Sequence, residues 1–260
     1  MAIADDLIYD VGLHDGGDAA HYLQCGFRVL AIDANPVMVE AAKKNFSEAL
    51  SSGRLMLLNK AIFDKAENRT FWISDHSEWS SFDQSVAKRK GTHAEPISVQ
   101  CELFSEVLQT YGVPYYLKID IEGSDDFCIA GLADVKDRPR YISWESTYPR
   151  GVDQLRALRD LGYTRFKIIR QTDFLPVLGP PYSRPELLNS LYFRGKKKLL
   201  NKLGRWNQFP VGTSGPFGDA TPGGWVAWHE MARRWRDYCE LWMRDDVDPL
   251  GVWFDFHAVR

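Results

Sequence analysis

Four aspartates stand close to a short glycine-rich stretch near the start of the chain, LIYDVGLHDGGDAAHYLQCGFRVLAID. Asp10, Asp15 and Asp18 surround Gly12, Gly16 and Gly17, and Asp33 closes the segment. An acid in that last position accepts hydrogen bonds from ribose hydroxyls in adenosine-binding βαβ units. The loop charges decide between adenosine ligands. A pyrophosphate needs bare N–H groups at a helix N-terminus, usually in a GxGxxG frame with no anion nearby. Here the spacing is Gly12-x-x-x-Gly16-Gly17, and three carboxylates would each repel a phosphate. Two like charges about 5 Å apart cost roughly 3 kcal/mol at an effective dielectric of about 20. S-adenosylmethionine (SAM) has the opposite need, because its sulfonium and α-ammonium are cationic and it carries no phosphate. Asp10 or Asp15 meets the ammonium in this reading, the glycine backbone lies along the methionine part, and Asp33 takes the ribose. A dinucleotide and a purely structural turn are the competing readings.

A second chemically loaded stretch is YYLKIDIE, Tyr115 to Glu122, followed by Gly123. Lys118, Asp120 and Glu122 alternate with Ile119 and Ile121, so the three charged groups share one face if the strand persists. Burying a lysine with two carboxylates requires that they pair with one another or with a ligand. Asp120 and Glu122 are therefore candidate general bases at the ligand edge of a sheet, with a simple internal ion-pair set as the alternative. No third ligand accompanies them, so no metal is expected.

The elements that must position these groups follow a βαβ rhythm. Leu7 to Val11 is an apolar run expected to form a buried strand. The glycines allow a sharp turn, Asp18 is placed to cap a helix running to about Gly26, and Arg28 to Ile32 is a second strand. Asn35-Pro36 opens a helix that ends before Gly53. Arg54 to Leu58 is a third strand, with Ala61 just past its end, where adenine is expected. Residues 64–101 interrupt the rhythm. Strands are expected at Thr70–Ile73 and Ile97–Cys101, and the polar stretch between them, with Trp79 and Ser81, is a candidate lid or substrate wall. A helix from Leu103 to Tyr111 and the YYLKIDIE strand follow. Arg140 to Trp144 is a fifth strand, with Glu145 at its end facing the acceptor, and Thr164 to Ile169 a sixth. Residues 170–224 read as irregular. Their basic run (Arg194, Lys196, Lys197, Lys198, Lys202, Arg205) is either a solvated face or a contact for an anionic group such as a phosphate on a sugar carrier. Trp225, Trp228, Trp235 and Trp242 stripe a helix to about Met243, packed on the sheet or on a partner chain. Val252 to Ala258 is a last strand, antiparallel beside the sixth.

Length and composition bound the class. The 260 residues suit one α/β domain, and 45% hydrophobic with 13% aromatic content argue for a packed globule. A formal charge of −3 gives the whole chain no general attraction to nucleic acid or acidic membranes. Cys25, Cys101, Cys128 and Cys239 lack metal spacing and read as buried, reduced thiols. With no signal segment and no run long enough for a span, a cytoplasmic protein is expected. The fold begins almost at residue 1, so no separate N-terminal substrate domain is expected.

With these residues in view, the sequence resembles the FkbM-type SAM-dependent methyltransferases. The resemblance rests on IYDVGLHDGGD with VLAIDANP, on LLNKAIFD, and above all on YYLKIDIEG, and it covers roughly residues 6–170. It implies a class I methyltransferase fold: an α/β, Rossmann-like, mostly parallel sheet of seven strands with helices on both faces and the last strand antiparallel. It also implies that Asp10, Gly12 and Asp33 contact SAM, with Asp120 near its methionine end. Where many members have asparagine after the first glycine this chain has His14, and Phe104 replaces a usual aspartate in CELFSEVL. The expected organisation is a single domain over 1–260, with a SAM-binding core over 1–170, an extension or substrate cap over 170–250, and the last strand over 251–260.

The expected activity is SAM-dependent O-methylation of a sugar, glycolipid or natural product. The expected cofactor-binding set is Asp10, Gly12, His14, Asp15, Gly16, Asp33, Ala34, Asn35, Ala61 and Asp120. Asp120 and Glu122 are the expected catalytic pair, ahead of Glu145 and His14, and Trp79, Ser81 and Glu145 face the acceptor. A small-molecule or glycan acceptor is the expected partner, with no nucleic acid and no membrane span; a homo-oligomer is left open. A nicotinamide-dependent oxidoreductase and a non-catalytic adenosine-ligand binder of the same fold are the rival classes.

Overall fold

The computed structural model describes residues 2–121, 123–146, 149–171, 173–180, 183–203, 213–244 and 253–260. The chain divides into two compact units, Met1–Trp144 and Glu145–Arg260.

The first unit is built outward from β1 (Ile3–Val11), whose Leu7 to Val11 are wholly buried. After it come α1 (Gly17–Gln24), β2 (Arg28–Asp33), α2 (Pro36–Asn45), α3 (Ser47–Ser51) and β3 (Leu55–Asn59). Then follow β4 (Ala61–Ile62), β5 (Asn68–Ser74), α4 (Gln84–Ala87), β6 (Ala94–Glu102), α5 (Phe104–Tyr111), β7 (Val113–Ile119), α6 (Asp125–Gly131) and β8 (Tyr141–Glu145). β1 pairs in parallel with both β2 and β7, β2 with β3, and β7 with β8. The order β8-β7-β1-β2-β3 means that the chain steps outward on one side of β1 and later returns to build the other. The switch therefore lies between β1 and β7, and in doubly wound sheets the crevice beyond the strands' carboxyl ends at that point receives the ligand. Asp10 and Lys118 occupy paired positions there. The turn after β1 and the residues after β7 are thus neighbours because of topology, 100-odd residues apart in sequence.

Residues 64–101 are not an open excursion. β5 and β6 form an antiparallel hairpin over seven residue pairs, and β4 joins β6 in parallel, making a separate three-stranded sheet. Phe71, Val99 and Cys101 pack with Ala61, and Ala34, Phe63 and Phe82 close the cluster.

The second unit holds α7 (Arg150–Asp160), β9 (Arg165–Arg170), β10 (Leu175–Pro176), α8 (Arg184–Lys202), α9 (Trp228–Arg244) and β11 (Phe254–Val259). β9 lies between β10 and β11, antiparallel to both, so the final strand runs antiparallel beside the sixth as expected. Five parallel strands in the first unit and three antiparallel ones in the second exceed the expected seven. The additional strand is the two-residue Leu175–Pro176, too short to show a period-two pattern. A second correction concerns 170–224, which read as irregular because of its prolines. Arg184–Lys202 is a helix, with Pro185 in its first turn, where the absent N–H is not needed. Of the tryptophan stripe, Trp235 is 2% exposed and packs against Tyr238, Phe254 and Phe256. Trp228 lies under the Arg159 guanidinium; the Trp242 side chain, Arg205 and Val252 lie outside the described residues. Cys25 is exposed rather than buried, because it caps the open C-terminal end of α1.

Trp235 carries the core of the second unit. Trp235→Ala is expected to lower stability by about 3–5 kcal/mol, read by urea denaturation. A loss below about 1 kcal/mol would mean that α9 is not seated on β11 as the ring contacts require.

Candidate active site

At the ends of β1 and β7 a single ammonium is shared among three carboxylates. Lys118 Nζ lies 3.1 Å from Asp10 Oδ1, 3.6 Å from Asp18 Oδ2 and 3.6 Å from Asp120 Oδ2, and it donates to the Gly12 carbonyl at 2.8 Å. Asp10, Asp18 and Lys118 are sealed from solvent, whereas the Asp120 side chain is 31% exposed. If all three acids ionise, the cluster has an excess of two negative charges. That excess has consequences for the proton on Asp10. Burial pushes its carboxyl up to about 7; Lys118 pulls it down, and Asp18 and Asp120 push it up again. Burial works against the Lys118 charge, but the three acids outweigh it and hold the ammonium protonated. Neither Asp10 oxygen receives a well-aligned hydrogen bond.

Asp18 was expected as a helix cap, and the structure corrects that reading. The N-cap is Gly16, in the left-handed region at φ 83°, and Asp15 Oδ1 accepts from the Gly17 N–H at 2.9 Å. Asp18 is the second residue of the helix, past the cap position, and its side chain turns inward to Lys118.

The loop between β1 and α1 uses its own amides. The Gly12 and Leu13 N–H groups donate to the Ile32 carbonyl at 2.9 and 3.2 Å, and Gly16 N–H to the Leu13 carbonyl at 2.9 Å. His14 N–H donates to Asp33 Oδ2 at 2.8 Å. With Gly17 on Asp15, five amides of residues 12–17 are engaged inside the protein, which is the reverse of a phosphate cradle. Gly12 has φ 91°, and a Cβ there would stand 1.8 Å from the Asp120 carbonyl oxygen. This glycine exists so that the segment after β7 can cross the turn after β1. A Cβ at Gly16 would meet the Phe46 ring at 2.7 Å.

Asp33 ends β2 half-buried. Its Oδ1 accepts from the Asn35 N–H and its Oδ2 from the His14 N–H, both at 2.8 Å. Burial raises its pKa, with those two N–H groups opposing. Each carboxylate oxygen has a second lone pair, so acceptor capacity remains. Asn35 Oδ1 accepts from Val37 N–H and caps α2. Asn59 Nδ2, a residue not singled out from sequence, donates to the Asp33 carbonyl at 2.9 Å and ties the ends of β2 and β3 together. Ala34 and Ala61 meet in one apolar cluster beside these strand ends.

Ser77 is a second residue missed from sequence. His14 Nε2 and Ser77 Oγ share a 2.7 Å hydrogen bond, so the tip of the β5–β6 hairpin touches the glycine loop. His14 itself sits at φ 49°, an unusual conformation for a residue with a side chain. Trp79 is half-buried against the His76 ring, with the Arg89 guanidinium 4.9 Å from its centroid. Ser81 is buried; its backbone bridges to Trp72, and its hydroxyl accepts from the Asp83 N–H. Glu145 ends β8 at the boundary of the two units. Glu122 lies outside the described residues. No group of three or more metal-binding side chains occurs among the described residues.

Removing Lys118 leaves buried carboxylates without their ammonium. Lys118→Met should cost about 3–5 kcal/mol in urea denaturation, and Asp10→Asn in the same chain should recover part of it. Strictly additive effects would show that the two side chains are not coupled. The Asp10 proton also sets a pH dependence. A carboxyl whose folded-state pKa is raised contributes stability that is full below 3.8 and is lost as pH rises through about 7. Asp10→Asn should flatten the stability profile across that window; an unchanged slope would place the proton elsewhere.

The sequence profile of the methyltransferase FkbM domain matches residues 10–165, more than half of the chain. No curated protein matches. Among solved structures, a precorrin-8W decarboxylase from Methanobacterium thermoautotrophicum is 16% identical with a TM-score of 0.38, covering 65% of this chain and 68% of that one. The precorrin-6y C5,15-methyltransferase of Geobacter metallireducens is 14% identical with a TM-score of 0.38, covering 65% and 69%. A SAM-dependent methyltransferase from Thiobacillus denitrificans, in complex with S-adenosyl-L-homocysteine, is 11% identical with a TM-score of 0.37, covering 99% and 86%. The assignment rests on the domain match, which spans both the aspartate-rich loop and the Lys118 strand: the chain belongs to the FkbM methyltransferase family and is a SAM-dependent methyltransferase of class I fold.

Proposed function

We propose that this enzyme transfers the SAM methyl group to an oxygen, a hydroxyl of a sugar, glycolipid or natural product. The observation that carries the SAM end is the loop of residues 12–17, whose amides are engaged internally beside three carboxylates served by one ammonium. Such a site favours a cation and disfavours a diphosphate, which counts against the nicotinamide alternative. Asp33 takes the ribose hydroxyls on its remaining lone pairs, Ala34 and Ala61 flank the adenine, and Asp120 lies toward the methionine end.

Asp120 is also the proposed base. It is the one member of the Lys118 cluster open to solvent, while Asp10 and Asp18 are sealed. In the reaction the acceptor oxygen attacks the methyl carbon in line with the sulfur. The carbon–sulfur bond breaks, S-adenosylhomocysteine leaves, and the hydroxyl proton passes to the Asp120 carboxylate. The β5–β6 hairpin, hydrogen-bonded to the loop through Ser77 and His14, is the proposed wall of the acceptor site, with Trp79 as its apolar face. Glu122 remains the second candidate base and Glu145 a further acceptor contact.

Calorimetry should show SAM and S-adenosylhomocysteine binding and NAD not binding. Asp33→Ala should weaken SAM about 10- to 150-fold, the value of about 1.5–3 kcal/mol for a charged hydrogen bond. Unchanged affinity would remove Asp33 from the ribose. Asp120→Asn and Glu122→Gln should keep SAM binding and lose methyl transfer to hydroxyl acceptors; full turnover in both would exclude them as bases.

A further inference from the structure

Helix α8 keeps one face against the protein and presents the other to solvent. Its sequence, RPELLNSLYFRGKKKLLNK, contains six basic residues and a single acid, Glu186. That acid is buried and committed: it accepts from the Leu178 and Gly179 N–H groups and pairs with Arg170 at 3.3 Å. At about 100° per residue, Glu186, Asn189, Ser190, Phe193 and Leu200 fall on one side, and among the helix residues whose burial is described these are the buried or half-buried ones. Asn189 Nδ2 also donates to the Pro176 carbonyl from this side. The helix is therefore anchored by its polar-edged inner face.

The outer face is apolar. Leu188, Leu191, Tyr192 and Leu199 recur at helical spacing opposite Glu186 and are 57%, 65%, 64% and 58% exposed. Leu203, one residue past the helix, continues the line at 56%. Exposed leucines in a row are costly in water and mark an interaction site. The flanks tell which kind. Arg194 and Lys198 border the stripe on one side and Lys196 on the other, with Lys202 at its end, all exposed. A leucine stripe with one tyrosine, edged by long cationic side chains that can reach past it, is the pattern of a helix lying in a lipid headgroup layer. A protein partner would have to present an apolar groove rimmed with acids on both edges; an anionic bilayer offers apolar depth and negative charge at once. The net charge of −3 for the whole chain conceals this segregation.

We propose that α8 docks this methyltransferase on the surface of an anionic bilayer, with Leu188, Leu191, Tyr192 and Leu199 entering the acyl boundary and the flanking lysines and arginine meeting phosphate headgroups. Among the described residues no helix is long and apolar enough to cross a membrane, so the attachment is peripheral and salt-sensitive. It does not depend on which hydroxyl is methylated.

The test is sedimentation of the full chain with vesicles of phosphatidylcholine alone and with phosphatidylglycerol added. The wild type should bind the anionic vesicles, release in high salt, and leave the neutral ones largely unbound. Lys196→Glu with Lys198→Glu should reduce partitioning at least about 25-fold, taking about 5-fold for each basic charge lost. Leu188→Ser with Leu191→Ser should abolish it while thermal unfolding stays unchanged, since both positions are exposed. Failure of the wild type to sediment, or equal binding to both vesicle types, overturns the proposal. So does a concentration-dependent dimer in solution that the leucine variant dissolves, because the stripe would then be a contact between copies of this chain.

Discussion

One buried ammonium holds the carboxyl ends of β1 and β7 together. Lys118 and Asp120 come from β7 and the residue after it, Asp10 from β1 and Asp18 from α1, so three stretches of chain meet at a single positive charge. The Gly12 carbonyl adds a further acceptor. Taking these groups out of water is costly, and mutual attraction offsets the cost only while all are in place. The arrangement is also unbalanced, with more negative than positive charge. An unbalanced buried cluster is poor at stabilising an empty fold and well suited to receiving a cationic ligand beside it. Burial raises the pKa of Asp10, and the neighbouring Asp18 and Asp120 add to that rise against the pull of Lys118.

Around this centre single side chains serve more than one contact. Asp33 is both an acceptor at the strand end and the clamp that fixes the His14 and Asn35 amides. Because the loop closes on Asp33, its shape is set before any ligand arrives, which lowers the ordering cost of binding. The same loop spends its amides internally, and this separates it from phosphate-binding turns that share its position in the fold. Gly12 belongs to this logic as well. Its missing side chain makes room for the Asp120 carbonyl, so the residue is a crossing point of two chain segments.

The hairpin of β5 and β6 is attached to the loop at one point, the His14–Ser77 hydrogen bond, and rests on its own apolar cluster through Phe71, Val99 and Ala61. An insertion with a small apolar cluster of its own can change its outer surface without disturbing the sheet. The second unit shows a comparable division of labour. α9 is buried through Trp235, whereas α8 keeps only its Glu186 side in the protein and turns its leucines outward.

Much of the core was legible from residue order alone. The apolar run at Leu7–Val11, the glycines after it, Asp33 at the end of the next strand and the KIDIEG stretch together specify a parallel α/β sheet and a cationic donor. Local periodicity and charge sign carry that information without reference to distant residues. Other features depended on which segments meet. Asp18 has the right type and place for a cap, yet it serves Lys118 instead, a residue 100 positions away. Ser77 and Asn59 look like ordinary loop and strand-end residues until the topology sets them against His14 and Asp33. Helix α8 escaped notice because the prolines before and at its start dominate the local pattern, and the exposure of its leucine stripe is a property of the folded chain. Periodicity along the chain reports which residues share a face; only the folded structure decides whether that face is filled, paired with a charge, or left open to solvent.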